Sequence, residues 1–271
     1  MKQYIDLCNT ILETGKRKPS GRNIPDTISC FGLTYQVDMA DGFPLLTTKK
    51  MPFKSIVREN IWFLSGSKSI KGFNIPFWDA WVDEKSEVPS PYGYYWRQFP
   101  NPDWDDYYTG RQKPNIDQFQ KVIDTLKTNP FSRRLVVSAW EPNNAWSSIL
   151  PPCHLLFIFN YDGERLNLHL TQRSGDVPIG IPFNLAGYAL LLHIVCNIVN
   201  MIPGVFSHSI TDAHIYVDQI DLIKEQLLRI PYKLPTLNIK RKLLSLDDIK
   251  EKDFELIDYI SHDKINYPVA V

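Results

Sequence analysis

The sequence predicts an α+β fold, a single domain spanning residues 1–271 and built on a mixed β-sheet flanked by helices. Three observations point there. Helix-period and strand-period stretches are interleaved along the chain instead of falling into separate blocks. No Gly/Ser-rich linker, internal repeat or low-complexity tract separates them. A length of 271 residues favours one large core over two modest ones.

From the N-terminus, MKQYIDLCNTILETG sets Tyr4, Cys8, Ile11 and Leu12 on one helical face and stops at Gly15. It lacks the apolar block and small-residue cleavage site of a signal peptide, so it reads as a first helix. A polar loop carrying Arg22, GKRKPSGRNIPD, leads into strand-like text, TISCFGLTYQV. FKSIVRENIWFLSG spaces Ile56, Ile61 and Leu64 for a helix that bears Glu59 and ends at Gly66. FWDAWVDE and PYGYYWRQFPNPDWDDYY gather aromatics between prolines and acids in a long irregular region, a kind of segment that often carries function. DQFQKVIDTLKTNP is another amphipathic helix, and SRRLVVSAW a strand entered through Arg133 and Arg134. In SILPPCHLLFIF, Leu155–Phe159 has the length and apolar density of a buried strand. Pro151 and Pro152 cannot donate to a ladder and mark its start. LNLHLTQRSGDVPIGIPFN alternates as a strand and runs into a Gly- and Pro-rich turn. A helix buried nearly all round begins at Leu185, and His193, Asn197 and Asn200 interrupt it too often for a clean membrane span. The tail INYPVAV ends in small apolar residues where polar text is usual.

Lysine plus arginine and aspartate plus glutamate number 30 each, so the formal net charge is zero. No global field then recruits nucleic acid or an anionic membrane, and an anionic ligand must be met by a local cluster. The four cysteines, Cys8, Cys30, Cys153 and Cys196, form no C-x-x-C pair, which argues against zinc ribbons and a disulfide framework. A reducing, cytoplasmic setting fits best.

Cys153 stands at the lip of a predicted strand, a common place for chemistry, although a buried core thiol is the plainer alternative. If Cys153 and His154 lie on one strand they point to opposite faces, so His154 is poorly placed to deprotonate the thiol and nearby positive charge must activate it. Arg22, Arg133, Arg134 and Arg173, with Ser174, have the donors for a phosphate. With no Gly-rich phosphate loop or dinucleotide fingerprint, a mononucleotide is expected rather than NAD or ATP. Asn184 either caps the buried helix or offers its amide, donor beside acceptor, to an imide-like pyrimidine edge. Asp212, His214 and Tyr216 alternate and so share one strand face, where His214 and Tyr216 either grip a sugar hydroxyl or belong to an internal network.

The motifs DGFPLLTTKK, IWFL, WDAW, YGYYWR, SRR, PPCH, QRSGD, GIPFN, DAHIY and the terminal PVAV span essentially the whole chain, and their combination resembles the folate-dependent, cysteine-nucleophile thymidylate synthase family. The resemblance implies a thymidylate synthase-like fold and a methyltransferase that converts deoxyuridylate (dUMP) and methylenetetrahydrofolate to thymidylate (dTMP) and dihydrofolate, without a metal. It implies that Cys153 adds to ring carbon 6 of the nucleotide, with Arg173 favouring its thiolate. Glu59, Tyr92, His154 and Asp176 would serve the proton transfers and the junction between nucleotide and folate. Arg22, Arg173, Ser174, Arg133 and Arg134 would bind phosphate, the last two from the neighbouring subunit of a homodimer. Gln172 and Asn184 would attend the base, and His214 and Tyr216 the ribose. Trp78, Lys49, Asp176, Gly180, Phe183 and Val271 would serve the folate, Lys49 through its glutamate tail and Val271 as the end of a closing segment. No membrane and no obligatory nucleic acid enters this account.

The sequence departs from the family pattern in four places. RNIPDT replaces the usual phosphate loop, Tyr95 stands where glutamine is usual, Gly187 where serine is usual, and Thr211 where glycine precedes DAHIY. These changes keep a sister activity in view, deoxyuridylate hydroxymethylase, which quenches the same methylene intermediate with water. An inactive homologue binding nucleotide or RNA as a regulator is a remoter alternative, since loss of chemistry should relax Cys153 or Glu59 first and both are present.

Overall fold

The computed structural model describes the chain except residues 22–23, 90, 102–103, 107–110, 113, 149 and 270–271, and except the side chains of residues 104–106, 111–112, 144 and 147. Its helices are α1 (Lys2–Thr14), α2 (Phe53–Ser65), α3 (Tyr92–Arg97), α4 (Gln118–Thr128), α5 (Pro142–Ser147), α6 (Gly180–Val199) and α7 (Ile220–Leu227). Its strands are β1 (Lys16–Lys18), β2 (Thr27–Asp38), β3 (Trp104–Asp106), β4 (Arg111–Gln112), β5 (Val136–Ser138), β6 (His154–Tyr161), β7 (Arg165–Asp176), β8 (Ile202–Tyr216), β9 (Thr236–Ile239) and β10 (Phe254–Ile257).

Six strands form one sheet in the order β1-β2-β8-β7-β6-β5, flanked by helices, which is the mixed α+β architecture expected. Neighbours are antiparallel except β7 and β8. That exception follows from the connection, because parallel neighbours need a crossover and α6 supplies it. By length and composition α6 is apolar enough to cross a membrane, yet it lies in the core, packed on β7, β8, α2 and α4. The buried residues form one contiguous cluster. Its aromatic centre has Trp96 edge-on to Phe157 at 5.0 Å and Phe119 edge-on to Phe157 at 5.6 Å. Such pairs each add about 0.5–1.5 kcal/mol beyond their burial.

Several sequence expectations change. The buried helix starts at Gly180, not Leu185, so the Gly- and Pro-rich stretch is its first turn. Pro182 is tolerated there because the first turn's N–H groups have no intrahelical partner. The capping alternative for Asn184 therefore falls, since the N-cap is Ile179 and Asn184 lies within the helix. In SRRLVVSAW only Val136–Ser138 is strand, and both arginines precede it. The irregular aromatic region contains a 3-10 helix, Pro76–Trp81, as well as α3.

Sheet register gathers the chemistry at one edge. Because β7 and β8 are parallel, their C-terminal ends emerge together, with Ser174 opposite Asp212 and Asp176 opposite His214. Antiparallel β6 brings its N-terminal end to the same edge, placing His154 opposite Gln172. Two glycines permit the close packing around them. A Cβ on Gly175 would come 2.6 Å from Ile181 Cδ1, so a larger residue there would have to push aside the Ile181 side chain in the first turn of α6. A Cβ on Gly93 would run into the backbone carbonyl of Phe63, so α3 can approach α2 only there.

Candidate active site

At this edge lies a cavity of about 410 Å³, a size suited to a small-molecule ligand. It is walled by the ends of β6, β7 and β8, the start of α6, α2 and the 3-10 helix at Pro76–Trp81.

Cys153 is held just before β6 by fixed contacts. Arg173 Nη2 donates to the Pro151 carbonyl at 2.7 Å and Arg173 Nε to the Pro152 carbonyl at 3.0 Å. The Arg173 backbone N–H donates to the Cys153 carbonyl at 2.9 Å, and the Cys153 N–H donates to the Tyr92 hydroxyl at 3.2 Å. The two prolines thus offer acceptors without donors of their own, which suits a guanidinium partner. Burial pushes the thiol above its ordinary value, opposed by the Arg173 charge and by Tyr92. The expected help from Arg173 has the right sign, but burial outweighs it.

His154 also lines the cavity, because Cys153 precedes the strand and a register irregularity follows His154. The opposite-face expectation therefore does not apply to this pair. The imidazole stacks on Tyr92 at 4.4 Å and 16° and is edge-on to Tyr188 at 5.3 Å. Burial pulls it down to about 4, so it is neutral at physiological pH.

Glu59, on α2, is only partly accessible and lines the cavity, not an exposed helix face. Burial pushes its carboxyl up to about 7, against the pull of Trp78, whose Nε1 donates to Glu59 Oε1 at 2.7 Å. Near neutrality such a group both gives and takes protons. Trp78 is itself fixed edge-on to Trp62 at 4.9 Å and to Phe63 at 6.0 Å. Beyond it, Phe77 stacks on Phe183 at 6.3 Å and 17°, and with Trp81, Ile179 and Val269 they make an apolar rim.

Asn184 stands at the end of a chain of hydrogen bonds whose directions can be deduced. Gln172 Nε2 lies 2.8 Å from the Ser174 carbonyl, which can only accept, so that end of Gln172 is the donor. Its second N–H then donates to Asn184 Oδ1 at 3.1 Å. Gln172 Oε1 must accept from His208 Nε2 at 2.9 Å, which leaves His208 Nδ1 bare to accept from the Tyr35 hydroxyl at 2.8 Å. Burial keeps His208 neutral, as this tautomer requires. The amide of Asn184 is thereby oriented, with its NH2 directed away from Gln172.

Across the cavity, Asp212, His214 and Tyr216 share the face predicted and all line it. His214 Nδ1 is 3.2 Å from the Asp212 carbonyl, and its ring meets Tyr216 edge-on at 5.3 Å. Asp212 accepts from Ser29 and from Lys18 at 3.1 Å, and its hydrogen bonds, His214 foremost, hold its carboxyl well below the usual range. Asp176 Oδ1 accepts from the Ile179 N–H at 3.2 Å at the mouth of α6, while burial raises its carboxyl.

The family model for thymidylate synthase matches residues 2–271 of this sequence. The chain belongs to the thymidylate synthase family. A folate cosubstrate goes with that family, and the stacked Phe77–Phe183 pair beside Trp78 and Trp81 fits a flat heteroaromatic ring.

Of the residues the family resemblance singled out, Cys153, Glu59, Tyr92, His154, Gln172, Arg173, Ser174, Asp176, Gly180, Phe183, Asn184, His214, Tyr216 and Trp78 all line this one cavity. Arg22 and Val271 lie outside the described residues. Arg133 and Arg134 are exposed and do not line the cavity of their own chain. Lys49 stands apart from these residues. It is 6% exposed and absent from the cavity wall. Its Nζ donates to the Pro178 carbonyl and lies 4.8 Å from the centre of the Tyr267 ring, so it braces the turn before α6. Burial brings it down to about 8.

Sequence reasoning missed Lys18, His208, Tyr35 and Gln219. Gln219 is fully buried; its Oε1 accepts from the Tyr216 N–H at 3.2 Å, and its Nε2 donates to the Pro268 carbonyl at 3.0 Å and to Asp176 Oδ2 at 3.4 Å. One amide thus ties β7, β8 and the C-terminal tail. Of the departures from the family pattern, Tyr95 and Thr211 lie off the cavity wall, whereas Gly187 borders a small chamber beside it.

Proposed function

We propose that this family member is a thymidylate synthase, converting deoxyuridylate and methylenetetrahydrofolate to thymidylate and dihydrofolate. The observation that carries the reading is a single cavity holding a clamped cysteine, an oriented asparagine amide and a glutamate near half-ionisation beneath an aromatic rim. Arg173, Ser174 and Arg22 take the phosphate, joined by Arg133 and Arg134 of a second copy in a homodimer; exposed arginines that miss their own cavity suit that role. His214 and Tyr216 meet the ribose, and Asn184 meets the base.

With the base in place, the Cys153 thiolate adds to carbon 6, and the displaced electron pair turns carbon 5 into a nucleophile. Glu59, with Tyr92 and His154 ordering solvent, moves protons at the base's carbonyl oxygen and at carbon 5. Folate supplies the one-carbon unit and then a hydride. Cys153 is expelled as the methyl group forms. Trp78 and the tail at Val269 shield the site, so hydride outcompetes water. The cytoplasm is the compartment in which an unpaired catalytic thiol persists.

The experiment incubates the protein with both substrates, following dihydrofolate absorbance and identifying the nucleotide by mass. Thymidylate with matching dihydrofolate is expected. Hydroxymethyl-deoxyuridylate with tetrahydrofolate would make it a hydroxymethylase instead. Failure to form a covalent complex at Cys153 with a carbon-5-fluorinated deoxyuridylate and folate would make it a binder only.

A further inference from the structure

Beside the main cavity is a second space of about 10 Å³, lined among others by Asn60, Trp96, Gly187, Tyr188 and Leu191. Glu59, Phe63, His154, Phe183 and Asn184 line both spaces. The volume is that of roughly one water probe sphere, about 10–15 Å³. Three buried polar atoms on residues lining this chamber have no hydrogen-bond partner among the described residues: Trp96 Nε1, His154 Nδ1 and the Tyr188 hydroxyl. Those residues are 1%, 6% and 4% exposed, so bulk solvent does not satisfy them. Folded proteins rarely leave such groups unpaired, and three of them on residues lining one water-sized space call for a buried solvent partner.

Glycine at 187 makes the room. A Cβ there would come 3.1 Å from Asn60 Nδ2, and that amide is held by its own bond to the Ile56 carbonyl at 3.0 Å. Trp78 already occupies Glu59 Oε1, so Oε2 is the oxygen left for a partner from the chamber.

We propose that the chamber holds one buried water, bound by Trp96, Tyr188 and His154, which donates a hydrogen bond to Glu59 from the side away from the nucleotide. Gly187 and Tyr188 are then positioning residues, setting how readily Glu59 gives up its proton. A donor behind the carboxylate stabilises its charged form and opposes the upward push of burial. Without it, Glu59 holds its proton to higher pH.

Two measurements on the intact protein test this, and neither requires turnover, so a failure here is distinguishable from a failure of the synthase reading. The first is a high-resolution crystal structure of the protein and of Gly187→Ala. Solvent density within hydrogen-bonding distance of the Tyr188 hydroxyl and Glu59 is expected in the former and not in the latter. The second is an isotope-edited infrared titration of the Glu59 carboxyl, assigned through Glu59→Gln. Its midpoint should rise by about half a pH unit or more in Gly187→Ala and in Tyr188→Phe, and return towards the original in Gly187→Ser, whose hydroxyl takes the water's place. A chamber without solvent density, or a midpoint unmoved in both Gly187→Ala and Tyr188→Phe, overturns the proposal.

Discussion

At the scale of the residue, Asn184 and Glu59 show how neighbours set what a side chain can do. The Ser174 carbonyl can only accept, so Gln172 must present its amide nitrogen to Asn184, and Asn184 cannot turn its own amide over without losing that bond. On the proposed function, selection of uracil over cytosine then lies in the surrounding chain as much as in Asn184 itself. In Asn184→Asp one carboxyl oxygen still accepts from Gln172 while the other meets the base as an acceptor, which suits cytosine's amino group. The ratio of rates on deoxycytidylate and deoxyuridylate should rise by about tenfold or more, and an unchanged ratio in parallel steady-state assays would place the selection elsewhere. For Glu59 the sign of the pH effect follows from burial. Between the ordinary 4.5 and about 7 the folded protein keeps a proton that the unfolded chain has lost, so this group's contribution to stability falls as pH rises through that window. Glu59→Gln removes the dependence and can still accept from Trp78. Relative to the parent, it should gain on the order of 1–3 kcal/mol between about pH 4.5 and pH 8, read from urea unfolding at both ends.

At the scale of the element, the active edge exists because β7 and β8 run parallel and deliver their ends together, while antiparallel β6 arrives head first. The elements need ties as well as register. Gln219 supplies one, joining the Tyr216 backbone, the Asp176 carboxyl and the Pro268 carbonyl from a single buried side chain. Truncation in Gln219→Ala frees the tail and relaxes Asp176 but leaves Arg173 and Ser174, the proposed phosphate donors on β7, untouched. The KM for the folate should rise several-fold to about tenfold while the Kd for deoxyuridylate, measured by calorimetry, changes less than about threefold. Equal losses in both would mean that the amide only stabilises the fold.

At the scale of the whole molecule, the exposure of Arg133 and Arg134 gives a test of the proposed dimer. A Cys153→Ala protein and an Arg133→Ala, Arg134→Ala protein should each be nearly inactive. A hybrid dimer has one site with both an intact cysteine and intact arginines, so mixing the two after verified subunit exchange should restore up to about a quarter of the parent activity per total subunit. Activity that stays at the level of the separate variants would show that the arginines act within their own chain.

Much of this protein was legible in its linear text because the signals are local. Two prolines before an apolar run marked the strand mouth where Cys153 stands, and the two-residue alternation in DAHIY placed Asp212, His214 and Tyr216 on one face. The apolar density of α6 marked it as a buried helix, although Pro182 in its first turn hid its true start at Gly180. What the text could not carry are contacts made through space. Lys49 is buried against Pro178, 129 residues away. His208 and Tyr35 reach Asn184 only through Gln172, across separations of 36 and 173 residues. Gly187 reads as a helical glycine until α6 is packed beside Asn60 and Trp96 and a water-sized chamber is left beside Glu59. Residue type and spacing determine which face an element buries. Which distant side chains then meet at that face, and which polar atoms are left for solvent to satisfy, depends on sheet register and close packing, and those are properties of the folded whole.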